Sequence, residues 1–116
     1  MNLEGKNYKI YFENETLKIS GKLALTPEKY EEIEDYFEKV LGLISEANKK
    51  ELVLDLRELE FLNSSGIKSI CVSLVMEADE IDGLNLKILC SNSFTWQVET
   101  IPTFKDLMDN LEIIFK

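Results

Sequence analysis

Between Glu51 and Ala78 the hydrophobic pattern changes its period, and that change dictates a strand followed by a helix. Leu52-Val53-Leu54 is continuously apolar between Glu51 and Asp55, which predicts a buried strand covered on both faces by helices. From Gly66 onward, Ile67, Ile70, Cys71, Leu74, Val75 and Ala78 recur at helical offsets, drawing one apolar stripe along a helix of roughly three to four turns. The junction from Leu56 to Gly66 is expected to be a short loop that closes on Asn63-Ser64-Ser65-Gly66. Asn63 suits the capping position, because its side-chain oxygen can accept a free amide hydrogen of the first turn. Ser64 and Ser65 then stand at the helix N-terminus.

The flanking sequence extends the same architecture. Tyr8 to Phe12 and Thr16 to Leu23 form a predicted hairpin across the turn-prone Glu13-Asn14-Glu15. Thr26-Pro27-Glu28 opens a helix, with Thr26 as cap, Pro27 in the first turn, and Tyr30, Ile33, Phe37, Val40, Leu41 and Ile44 as its apolar face. The acidic residues on the opposite face are a solvated surface, with acidic docking as the minor reading. Asp82-Gly83 stops the second helix, and Leu86 to Leu89 is another buried strand. Ser91-Asn92-Ser93 is a loop and cap cluster before a short helix from Phe94 to Thr100, broken at Pro102. Further helical turns near Phe104 to Met108 precede the apolar tail Leu111 to Phe115, for which strand and helix both remain open. A hairpin followed by alternating helices and strands predicts one α/β domain over residues 1–116, a mixed sheet with helices packed on it.

Composition narrows the function. The net charge of −9 argues against nucleic acid and acidic membrane surfaces as partners, since neither is attracted to an acidic chain. No apolar run approaches a membrane span, and Met1 to Lys9 has no signal-peptide core, so a cytoplasmic protein is expected. With no histidine in the chain there is no Ser-His triad and no imidazole metal site. No calcium-loop spacing appears among the carboxylates, and no metal or cofactor is expected. Cys71 on the helical stripe and Cys90 after the strand are expected to be reduced packing residues.

Leu52-Val53-Leu54-Asp55-Leu56, then Leu59 and Phe61-Leu62, then Asn63-Ser64-Ser65-Gly66-Ile67 resembles the core signature of STAS domains of the bacterial anti-sigma factor antagonist type. Ile19-Ser20-Gly21-Lys22-Leu23 is similar to the family's second strand, and Leu86 to Cys90 to the strand before its third helix. The resemblance implies a STAS-like domain that takes part in signal transduction and transcription regulation by partner switching. It implies phosphorylation at Ser64, with Ser65 as second choice, by a partner serine kinase that doubles as anti-sigma factor. A metal-dependent phosphatase reverses the modification. The family carries aspartate where this chain has Asn63, so a constitutive STAS scaffold, or a small-ligand or nucleotide sensor that is never phosphorylated, is the alternative. In either case the chain is expected to be no enzyme. A Ser64 acyl nucleophile would lack both a histidine base and an oxyanion-hole motif.

On the same analogy Asp55 orders the switch loop, and Gly66 lets a partner backbone or a phosphate come close. On the helical wheel Ser65, Ser69, Val72 and Met76 share a narrow arc away from the core stripe. Either Val72 and Met76 pack against the helix near Phe94 and Trp96, or the arc is a docking patch with methionine as its adaptable contact.

Overall fold

The hairpin forms where the alternation predicts it. Tyr8–Glu13 (β2) and Thr16–Leu23 (β3) pair antiparallel from Tyr8↔Gly21 to Glu13↔Thr16, and Asn14 takes the left-handed conformation that the tight turn needs. A short strand that the pattern did not announce, Asn2–Glu4 (β1), adds to the outer edge of β2. Gly21 sits at φ +90°, and a side chain there would run into the Asn7 carbonyl. The structure, a computed structural model, describes residues Met1–Lys116.

Thr26 caps the helix Pro27–Glu46 (α1) through the Lys29 amide, and Ile33, Phe37, Val40 and Ile44 are buried along its inner face. The strand Glu51–Leu62 (β4) follows, parallel to β3. It corrects the expected loop: the strand does not end at Asp55 but continues to Leu62. Two register shifts against β3 interrupt its alternation and disguise the extension as loop in the sequence.

The helix after Asn63 runs as α2 (Ser64–Ser69), a π-helical turn (Ile70–Val75) and α3 (Met76–Asp79) without leaving helical geometry. Ile70, Leu74, Val75 and Ala78 of the predicted stripe are buried, whereas Ile67 and Cys71 are half-buried. Asn85–Cys90 (β5) is parallel to β4, and Thr95–Thr100 (α4) continues into a 3₁₀ segment, Ile101–Leu107. Phe94 starts α4 without a side-chain cap, so Ser93 does not serve as one. Leu111–Phe115 is a strand (β6), parallel to β5, which decides the open choice for the tail.

The six strands lie in chain order, β1-β2-β3-β4-β5-β6. Three successive parallel crossovers that step the same way and are all right-handed put their helices on the same face. Burial agrees: Ile10, Ile19, Leu54 and Ile88 point into the core, while Lys9, Tyr11, Lys18 and Lys87 occupy the other face and reach solvent. The expectation of helices on both faces of the Leu52-Val53-Leu54 strand is therefore corrected, and Val53 is only half-buried. No helix is long and apolar enough to cross a membrane.

Candidate functional site

Asn63 holds the end of β4 where two loops meet. Its Oδ1 accepts from the Gly66 amide at 2.9 Å, which is the predicted helix cap, and also from the Leu25 amide at 3.1 Å. Its Nδ2 donates to the Leu25 carbonyl at 3.1 Å. One side chain thus starts the second helix and clamps the β3–α1 connection through both polar groups of the Leu25 backbone. An aspartate has no donor and could not complete this arrangement.

Ser64 and Ser65 are exposed at the first positions of α2. Their hydroxyls stand where free amides and the helix dipole favour an anion. Gly66 is buried, and a side chain there would overlap Leu62 and crowd Asn63 Oδ1. Its missing side chain serves internal packing, which corrects the reading of a gap left for a partner or a phosphate.

Asp55 does not belong to this loop. It lies within β4, opposite Lys18 on β3 and Leu89 on β5, with seven strand residues or roughly 20 Å of extended chain between it and Asn63. It is 5% exposed rather than an open strand-end carboxylate. Arg57, two residues on and so on the same face of the strand, binds it through Nε at 3.0 Å and Nη2 at 2.9 Å. Burial alone would raise the Asp55 carboxyl, but the Arg57 hydrogen bonds and charge, with help from Lys18, hold it below its ordinary value. Asp55 is a strand-pinning residue.

The predicted arc on the second helix is split. Ser69 is buried with its hydroxyl unpartnered, so it offers nothing to a partner, whereas Val72 and Met76 are 40% and 46% exposed. The π turn is the physical reason: its wider loops rotate everything beyond Ile70 relative to a regular wheel, separating Ser69 from Met76. The exposure of Val72 and Met76 also removes the alternative in which they pack beneath Phe94 and Trp96.

Gln97 is a residue that sequence reasoning missed. It is fully buried, and its Nε2 donates to the Leu56 and Leu59 carbonyls at 2.7 and 2.9 Å, while its Oε1 accepts from the Ser91 amide at 2.8 Å. The β4–β5 ladder ends at Asp55↔Leu89, so Gln97 takes up carbonyls of β4 beyond the point where β5 accompanies it. A polar residue between Trp96 and Val98 at the start of a short helix was the available signal. Cys71 and Cys90 are both free, and burial, with the Asp55 charge, pushes the Cys90 thiol up to about 12. No cluster of three or more histidine, cysteine or acidic side chains is placed to hold a metal.

No protein-family model matches the chain, and no curated protein sequence matches it. Among solved structures the fold is similar to a chain in the crystal structure of diguanylate cyclase SiaD in complex with its activator SiaC from Pseudomonas aeruginosa. The TM-score is 0.70 at 17% identity, over 100% of this chain and 99% of that chain. The matched chain is SiaC. This likeness is one of fold, and it covers every strand and helix described above.

Proposed function

We propose that this chain is a regulatory protein-interaction module whose partner binding is controlled by reversible phosphorylation of Ser64. The observation that carries the reading is the pairing of an exposed Ser64 with a rigid pedestal, in which Asn63 ties the helix start to the neighbouring loop through three hydrogen bonds. A phosphoryl group there adds roughly −1.5 to −2 charges. The helix N-terminus stabilises such an anion by about 0.3 to 1 kcal/mol, so the fold tolerates it. A partner surface that is apolar or acidic at that point does not. Each 1.4 kcal/mol of lost contact weakens binding about tenfold.

The fold likeness supports a partner-directed role, since SiaC is named as the activator of an enzyme it binds. By the same reading this chain supplies no catalytic group, and a serine kinase and a metal-dependent phosphatase are separate proteins that act on it. Asn63 favours a second reading. With no carboxylate beside Ser64, a kinase that relies on one finds nothing to engage, and the module binds its partner constitutively.

Mass spectrometry of the protein from its native cells distinguishes the two. The tryptic peptide Glu58 to Lys68 contains Ser64 and Ser65 and no other hydroxyl side chain. Phosphate on Ser64, together with weaker partner binding by Ser64→Glu than by Ser64→Ala, supports the switch. An unmodified peptide under every growth condition, with equal binding by both variants, refutes it in favour of the constitutive scaffold.

A further inference from the structure

Away from Ser64, α1 and the second helix lie side by side and leave an open groove of about 580 Å³ between them. Its floor is apolar, from Leu41 on α1 and Val72 and Ile81 on the other wall. Four glutamates line it, Glu34 and Glu38 from α1, Glu77 from the second helix and Glu80 at its C-terminal cap, and no lysine or arginine does. None of the four takes part in any of the six ion pairs of the structure. Glu34 only accepts a hydrogen bond from the buried Ser73 hydroxyl across the groove at 3.3 Å. Spaced four and three residues apart, the pairs repel one another along their own helices. Apart from the Glu34–Ser73 bond, the isolated chain gains nothing from placing them there.

Gly42 is an independent observation at the same place. It sits within the twenty-residue α1 and lines the groove, and a side chain on it would meet nothing within 4 Å. Glycine in a helix interior is unfavourable, and no contact inside this chain requires it. Its absent side chain leaves bare backbone facing the groove, flanked by the small Ser45 and Ser73. This is a surface onto which another helix can settle closely.

We infer that the groove between α1 and the second helix is a docking site for a basic amphipathic helix of a partner protein. From Glu34 to Ser45 the α1 wall runs about 16 Å, or three helical turns. The occupant lays an aliphatic ridge on Leu41, Val72 and Ile81, approaches most closely over Gly42, and brings lysine or arginine to the two glutamate rims. The −9 charge of the whole chain steers such a partner toward it. Val72 lies eight residues from Ser64, roughly 12 Å along the helix, so this surface is additional to the modified end.

The test uses the intact chain, isotopically labelled, and a synthetic helical peptide of about four turns with leucine and isoleucine on one stripe and lysine on both flanks. The control is the same peptide with glutamate flanks. The expected result is saturable binding of the lysine peptide only, with NMR shift changes centred on Gly42, Ser45, Ser73 and Glu77. Gly42→Leu fills open space, so the fold keeps its melting temperature or gains, yet binding weakens by about tenfold or more. Glu38→Lys with Glu77→Lys abolishes it, and Glu112→Lys, on the far edge of the sheet, leaves it unchanged. Absence of saturable binding, equal binding of the glutamate peptide, or an affinity that Gly42→Leu does not alter overturns the proposal. Neither arm involves Ser64, so the groove and the phosphorylation switch fail or stand separately.

Discussion

Replacing Asn63 by aspartate exchanges one NH2 group for one oxygen and leaves shape and volume intact, which makes it a clean probe of the clamp. The helix cap to Gly66 and the contact from the Leu25 amide survive, and both become charge-assisted. A carboxylate at a helix N-terminus adds about 0.3 to 1 kcal/mol in its favour. Against this, the donor to the Leu25 carbonyl disappears, at about 1 kcal/mol. In its place an anionic oxygen faces that carbonyl across 3.1 Å, and a polar group stripped of its partner loses about 1 to 3 kcal/mol. The unfavourable terms win. Asn63→Asp is expected to be about 1 to 2 kcal/mol less stable at neutral pH, a drop in melting temperature of about 5 °C for a chain of this size. Asn63→Ala, which loses all three bonds, falls further. Protonation returns a donor to the aspartate, so the gap to the parent protein narrows as the carboxyl titrates in acid. Thermal melts of the three proteins at neutral and acidic pH decide the matter. An aspartate variant as stable as the parent at neutral pH would refute the clamp and leave Asn63 as a simple cap.

Gly66→Ala forces a methyl group into Leu62 and is expected to cost about 1 to 3 kcal/mol in urea unfolding, with part of the loss recovered in the Gly66→Ala, Leu62→Ala double variant. Gln97→Leu strands the Leu56 and Leu59 carbonyls and should cost about 2 to 4 kcal/mol, with hydrogen exchange accelerating first in the outer half of β4; unchanged exchange there would count against the plug. Asp55, held below its ordinary 3.8 in the folded state, contributes stability above that value and loses it as pH falls through the folded one. Arg57→Met removes the stabilising partner and leaves burial, which raises the carboxyl, so the variant's deficit should be largest at neutral pH and close below about pH 4. A deficit independent of pH would show that Arg57 acts through packing alone.

Where structure rests on neighbours in sequence, the sequence announced it. The hairpin turn at Asn14, the Thr26-Pro27 start of α1 and the Asn63 cap are all decided within a few residues. The misses share a different cause. β4 looks finished at Asp55 because Arg57, Glu58 and Glu60 break its apolar run and two bulges shift its alternation, although its partner β3 carries it on to Leu62. Val53 is apolar on the open face, so it mimics a strand covered twice. A π turn leaves no mark on a regular helical wheel, hence the false grouping of Ser69 with Met76. The second duty of Asn63 and the two bonds that Gln97 donates lie with backbone groups 38 and 41 residues away, beyond any local pattern. The Asp55–Arg57 pair is local, at alternate positions of one strand, but Arg57 falls in the stretch read as loop, so the shared face went unnoticed.

A sheet whose spatial order repeats its chain order has a consequence for how it assembles. No strand has to insert between two that are already joined: β4 adds to the free edge of β3, β5 to β4, and β6 to β5. Each step closes one crossover of modest length and completes before the next edge is needed, which keeps the loop entropy of every addition small. During synthesis the hairpin emerges first and presents the template on which the rest is laid, one strand and one helix at a time. The growing chain carries its exposed edge forward with it, from β3 to β4 to β5, and never has two unfinished edges on the parallel side at once.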